Sequence, residues 1–242
     1  GDDVLHELTF DANTTPAVTP GTWSTIDVPL SDFTGLTTRS NIAQMILVGT
    51  GDLNTLYVDN VLFYRAPPTE PVEPAPTPTQ APENVISMFS NAYTDVLVDR
   101  WSTDWDDTTV DDVQVAGDDV KLYTNLVFAG IEATSQPIDA SSMERFRIDV
   151  WTPDPTTPPS VFKVQLVDFG ADGAFGGGDD VLHELTFDAN STPAVTPGTW
   201  SIIDVPLSDF TGLTTRSHIA QMILVGTGDL NTVYVDNVLF YK

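Results

Sequence analysis

The chain has 242 residues, 35 acidic against 9 basic side chains for a formal net charge of −26, and no cysteine. That balance excludes a nucleic-acid surface, which needs clustered Lys and Arg to meet phosphates, and the lack of thiols excludes a disulfide framework. No stretch approaches the roughly 18 consecutive apolar residues of a membrane-spanning helix.

Residues 1–65 return almost unchanged as residues 178–242, differing only at Thr14/Ser191, Thr25/Ile202, Asn41/His218, Leu56/Val233 and Arg65/Lys242. The second copy is preceded by residues 83–177, which have no counterpart before the first. The expected organisation is the back half of one module (1–65), a linker (66–82) and a complete module (83–242). Gly1 falls at the equivalent of Gly178, and Asp2 and Asp3 match Asp179 and Asp180. The chain therefore reads as a fragment or processed form whose first half-module is completed by a missing fragment or another chain. Near-identical modules in tandem suit multivalent binding.

Residues 66–82, APPTEPVEPAPTPTQAP, contain seven prolines. Proline favours extended polyproline geometry, which predicts a semi-rigid spacer reaching about 50 Å at ~3.1 Å per residue.

Beyond it no helical period emerges. Short runs rich in β-branched and aromatic residues, bounded by Gly, Pro, Asp and Asn, predict strands at 85–89, 112–115, 120–128, 130–133, 145–151, 161–167, 181–187, 199–205, 219–225 and 233–241, with one helical turn at 208–213. The fold class is all-β, an antiparallel β-sandwich or jelly roll. Alternation turns Phe146, Ile148 and Val150 inward and Arg145, Arg147, Asp149 and Trp151 outward. It likewise turns Lys121, Tyr123 and Asn125 outward, with Lys163 and Gln165.

Two kinds of chemistry stand out. The stretch from Asp168 to Asp180 is rich in Gly and Asp. Against a twelve-residue calcium loop, Asp168 takes position 1, Asp172 position 5, Gly173 the turn glycine, Ala174 the carbonyl position and Asp179 position 12. Position 3 is Gly170, which brings no ligand. Asp236, in an apolar strand, is a further candidate ligand, since a buried carboxylate needs a partner or a metal. The second chemistry is aromatic and polar. Arg100, Trp101, Asp104 and Trp105 share one loop, and Tyr123, Asn125, Trp151 and Gln165 share the predicted outward face. Sugars offer apolar C–H faces fringed by hydroxyls, so flat rings beside amides, carboxylates and guanidinium groups suit them.

The histidines are His6, its repeat partner His183, and His218, which Asn41 replaces in the other copy. No nucleophile triad, phosphate loop or zinc spacing occurs. Asp104 and Asp106 could pair as in a glycosidase, but acidic residues are dense enough here to make such pairs by chance.

The stretches DVWTP and VDFGADGAFGGGDD, with the closing pattern GTW…IDVPLSDF…VYVDNVLFY, resemble the non-catalytic modules appended to bacterial laminarinases and related β-glucan-degrading enzymes. They also resemble the wider family 4/9-type carbohydrate-binding modules. The likeness covers 83–242 and, in its back half, 1–65. It implies a galactose-binding-like jelly roll, structural calcium at Asp168, Asp172, Asp179 and Asp180, and sugar stacking at Trp101, Trp105 and Trp151. The expected function is non-enzymatic binding of a β-glucan, laminarin-like β-1,3-glucan first, by a secreted or surface protein. The alternative is a calcium-stabilised adhesion or spacer repeat.

Overall fold

The structure, a computed structural model, describes residues 4–64 and 67–242. Gly1, Asp2 and Asp3, with Arg65 and Ala66, lie outside the described residues. The chain divides into two units, Gly1–Phe63 and Tyr64–Lys242.

The second unit holds nine strands: β1 Val85–Phe89, β2 Asp107–Val115, β3 Asp118–Glu132, β4 Arg145–Trp151, β5 Phe162–Asp168, β6 Val181–Phe187, β7 Ser201–Pro206, β8 Ile219–Gly226 and β9 Val233–Tyr241. Every pairing between them is antiparallel. The order runs β6-β5-β8-β3-β9-β4-β7, with β1 on β9 and β2 on β3. The unit is an all-β antiparallel sandwich.

Strand β3 makes the sandwich. Sequence patterning predicts two strands at 120–128 and 130–133; they are one strand of 15 residues joining β8 to β9 within a single curled nine-stranded sheet. Its first part pairs with β9 through Lys121, Leu122 and Tyr123. Its last part, Phe128 to Glu132, pairs with β8. Between them Asn125 has φ of 53°. Tyr123 and Leu126, three residues apart, both enter the core. One extra residue in a strand, with a left-handed φ that Asn tolerates, is a bulge, and it resets which face the side chains take. Simple alternation fails here, and Lys121 and Tyr123 point inward although they were expected outward.

A second bulge lies in β9 at Asn237, φ 49°, where Val235 and Val238 both enter the core, whereas β4, β5 and β8 keep their alternation. Phe146, Ile148 and Val150 of β4 face Phe162, Val164 and Leu166 of β5 and Met222 and Leu224 of β8 within one large apolar cluster. Each such side chain contributes roughly 1.5–3 kcal/mol on burial. The off-core face of β4 is nevertheless not open: Arg147, Asp149 and Trp151 are all buried. The proline-rich segment belongs to this unit, and Pro71, Ala75 and Pro78 within it are buried. It packs on the module, where its composition predicts only a semi-rigid spacer between modules.

In the first unit the described residues contain one 3-10 turn, Leu30–Asp32, and no strand. Local features match the repeat. Gly35 N donates to His6 Nδ1 at 2.9 Å and Gly212 N to His183 Nδ1 at 3.1 Å. Long-range features do not match. Tyr57 is 80% exposed while its repeat partner Tyr234 is 8% exposed.

Candidate functional site

The loop before β2 is pinned to β3 by a single carboxylate. Asp106 accepts from Ser102 Oγ at 3.0 Å, from Thr103 N at 2.7 Å and from Gly130 N at 3.0 Å. This lays Trp105 across the sheet at Gly130, where an added Cβ would sit 2.5 Å from the ring's Cη2. The indole stacks on Phe128 with centroids 6.1 Å apart and planes 20° apart, yet remains 45% exposed. Its Nε1 donates to Glu132 Oε1 at 3.4 Å, and Gln221 Nε2 donates to the same oxygen at 3.1 Å.

Beside Trp105 opens a cleft of about 370 Å³ over the off-core face of β5 and β8, lined by Gln165, Val167, Gln221, Ile223, Leu182 and Phe175. Phe175 projects from the Gly-Asp loop, 70% exposed, tilted against Phe169 at 5.6 Å. On the same face of β5, Lys163 pairs with Glu184 at 2.7 Å. The cleft thus combines two exposed rings and two side-chain amides on the sheet, with the Glu132 carboxylate bonded to Trp105 and Gln221.

Of the residues expected at a ligand, the structure brings Trp105 and Gln165 together. Trp101 instead packs on the core, edge-on to Phe89 at 5.5 Å and 5.1 Å from Lys121 Nζ. Tyr123 is fully buried and donates its hydroxyl to the Trp101 carbonyl at 2.9 Å, so it cannot stack on a sugar. Trp151 lies edge-on to Tyr234 within a small apolar cluster on the off-core face of β4 and β9 and is equally sealed. Arg100 and Asp104 form an exposed 3.5 Å pair outside the cleft lining. Asn125 is exposed at the β3 bulge.

Sequence reading missed Phe175, Gln221, Ile223 and Glu132. The signal for Gln221 and Ile223 was present, since they alternate with the core residues Met222 and Leu224. A phenylalanine among glycines was a second overlooked signal, because nothing nearby could bury it.

The proposed metal ligands are distributed differently. Asp168 is buried, with Oδ1 accepting from Gly170 N at 2.9 Å and Oδ2 from His218 N at 2.8 Å. One oxygen shapes the turn at Gly170 and the other ties it to the segment before β8. Asp236 lies on β9, opposite Asp149 of β4, and is no part of that loop. Burial, with Asp118 and Asp149 beside it, pushes its carboxyl up to about 8. Within the loop Asp172 caps Ala174 N at 2.9 Å, and Asp179 caps Ala171 N at 2.8 Å. Asp180 Oδ2 accepts from Gly176 N at 2.7 Å, while its Oδ1 is buried with no hydrogen-bond partner. Among the described residues no group of three or more acidic or histidine side chains is arranged to hold a metal ion. Ala174 enters the loop's hydrogen bonding only through its amide.

No family model matches the chain and no curated protein matches it. Among solved structures it is similar to the family 30 carbohydrate-binding module of the cellulosomal cellulase Cel9D-Cel44B of Clostridium thermocellum, at 15% identity and a TM-score of 0.48, covering 65% of this chain and 97% of that one. It is also similar to the family 11 carbohydrate-binding module of Clostridium thermocellum solved with a β-1,3-1,4-mixed-linked tetrasaccharide, at 14% identity and a TM-score of 0.43, covering 65% and 95%.

Proposed function

We propose that the second unit is a non-catalytic glycan-binding module whose ligand lies along the cleft between Trp105 and Phe175. The observation that carries this is the exposed Trp105 indole, fixed over Gly130 beside the amides of Gln165 and Gln221. A sugar ring gains from a C–H face on the indole, and its hydroxyls find both donors and acceptors in the amides. The nearby carboxylates are engaged: Glu132 accepts two hydrogen bonds, Glu184 is paired with Lys163, and Asp106 is held by three donors. That supports binding over acid–base chemistry.

The ligand class we favour is a β-glucan, laminarin-like β-1,3-glucan first, presented to a secreted or surface-attached protein. Calcium enters the same proposal through Asp172, Asp179 and Asp180, which are not gathered into a metal-holding group here and would have to close together on the ion. Their oxygens are the hard donors calcium takes, and Asp180 Oδ1 has no other partner. The first unit is proposed to be completed by a segment with the chemistry of residues 83–177.

Titration calorimetry against laminarin, mixed-linkage glucan and cello-oligosaccharides tests the reading. Heat with laminarin that disappears in Trp105→Ala is the expected result. No heat with any glucan, with calcium still raising the melting temperature, would favour the adhesion or spacer alternative.

A further inference from the structure

The off-core face of β4, β7 and β9 is lined for a ligand of a different kind. A polyproline segment has few backbone N–H groups and presents carbonyls as its regular hydrogen-bonding atoms. A surface that binds it needs donors spaced along its turn of three residues, with apolar ground between them. Trp200 Nε1 donates to the Glu73 carbonyl at 2.8 Å. Three residues on, Arg147 Nη2 donates to the Pro76 carbonyl at 2.7 Å, with Asn237 Nδ2 at 3.4 Å from the same oxygen. Further along, the Tyr93 hydroxyl donates to the Gln80 carbonyl at 2.9 Å.

These donors are held in place by the module itself. The guanidinium of Arg147 is bidentate on Asp149, Nε to Oδ1 at 2.9 Å and Nη2 to Oδ2 at 2.6 Å. Asp149 is fully buried and also accepts from Asn237 Nδ2 at 2.9 Å. Buried charge needs this pairing, and here it fixes the direction in which Arg147 presents its remaining N–H. The apolar ground is Trp151 with Tyr234, edge-on at 5.4 Å, alongside the half-buried Trp200. Pro68 lies against Gly198, where a Cβ would come 3.2 Å from its Cδ.

We propose that this face is a polyproline-binding site, occupied in cis by residues 68–80 as a strap. The proline-rich stretch is then ligand as well as connector, and docking shortens the reach of the semi-rigid spacer its composition suggests. The same chemistry would accept an equivalent peptide in trans once the strap is displaced.

The test uses the full chain, which has no cysteine, with Pro78→Cys as a single thiol at a buried strap position whose rate of reaction with a maleimide reads release of the strap. Ala75→Lys places a long cation where Ala75 is buried, near Arg147, and should release the strap. Trp200→Phe removes one donor while keeping a ring, and serves if the lysine variant folds poorly. Labelling of the thiol is expected to rise at least ten-fold with Ala75→Lys and several-fold with Trp200→Phe. A fluorescently labelled peptide of residues 67–82 is expected to bind the Ala75→Lys chain and not the wild type, whose face is filled. Equal labelling in the presence and absence of both substitutions overturns the proposal, as does failure of the peptide to bind the opened chain. Glucan binding at the Trp105 cleft, which shares no lining residue with this face, reads separately and is expected to stay unchanged in all three chains.

Discussion

Trp105 touches Gly130 so closely that the indole can lie against the sheet only because residue 130 has no side chain. An alanine there would overlap Thr103 Oγ1 as well as the ring, both at 2.6 Å or less. Gly130→Ala is therefore expected to lift Trp105 off the cleft wall while the core beneath remains packed. The measurable result is a changed tryptophan emission spectrum and a glucan affinity reduced at least ten-fold, close to that of Trp105→Ala. Loss of one aromatic stacking contact is worth about 1 kcal/mol or more beyond its buried area. Unchanged affinity in Gly130→Ala would separate Trp105 from the ligand.

Asp106 is the second control on that ring. A carboxylate accepts from Ser102, Thr103 and Gly130 together, whereas an alanine leaves all three donors without that acceptor. Asp106→Ala is expected to destabilise the unit by roughly 1–3 kcal/mol, the cost of unsatisfied partly buried donors. Glucan affinity should weaken with it. Denaturant titration and calorimetry on the same variant measure the two effects separately.

Strand positions were largely readable from sequence, since β1, β4, β6 and β9 coincide with runs rich in apolar and β-branched residues. Tyr123 and Trp151 show what was not readable. A one-residue bulge at Asn125 inverts the face of Tyr123, and only the left-handed φ reveals it. Trp151 does point away from the core, as alternation requires, but a segment some seventy residues earlier in sequence covers that face. Composition marks that segment as proline-rich without indicating that it docks. Phe175 and Gln221 meet at the cleft only because β5, β6 and β8 are brought side by side by non-local pairing, which a linear pattern does not encode.

Asp236 makes stability depend on pH in the less usual direction. Burial raises its carboxyl to about 8, helped by Asp118 and Asp149 and opposed by its hydrogen bond from Asn237 N. The unfolded carboxyl titrates near 3.8. Between these limits the folded state holds a proton that the unfolded state has lost, so this group's contribution to stability falls as pH rises from about 4 to about 8. Asp236→Asn keeps an oxygen for the Asn237 amide and removes the titration. The variant is expected to be more stable than wild type at pH 8, by roughly 1–3 kcal/mol, with the difference vanishing toward pH 4. Chemical denaturation of both chains across that range supplies the comparison. A constant difference would show that Asp236 is already ionised.

The two copies form a natural experiment in what a sequence can specify alone. Residues 4–64 and 181–241 share all but four of their side chains. Both keep the histidine-to-amide bond and the 3-10 turn, which are local or nearly so. Strands appear only in the copy that packs against β1 to β5. Phe63 is 63% exposed, whereas Phe240, its repeat partner, is sealed between β4 and β1. Pairing of this kind closes long loops, and a half-sandwich has too little apolar surface to bury to offset that entropy. A segment equivalent to residues 67–177 should therefore complete residues 1–65 in trans. A polypeptide of residues 67–177 mixed with residues 1–65 is expected to give β-sheet circular dichroism and one cooperative melt that neither piece shows alone. Because the five differences from the second copy include only one core position, Leu56 for Val233, the reassembled unit should also retain the Trp105 cleft and bind the same glucan. Two non-interacting, unfolded pieces in that mixture would mean that covalent continuity between the halves, and not merely their shared surface, is required for the sandwich to form.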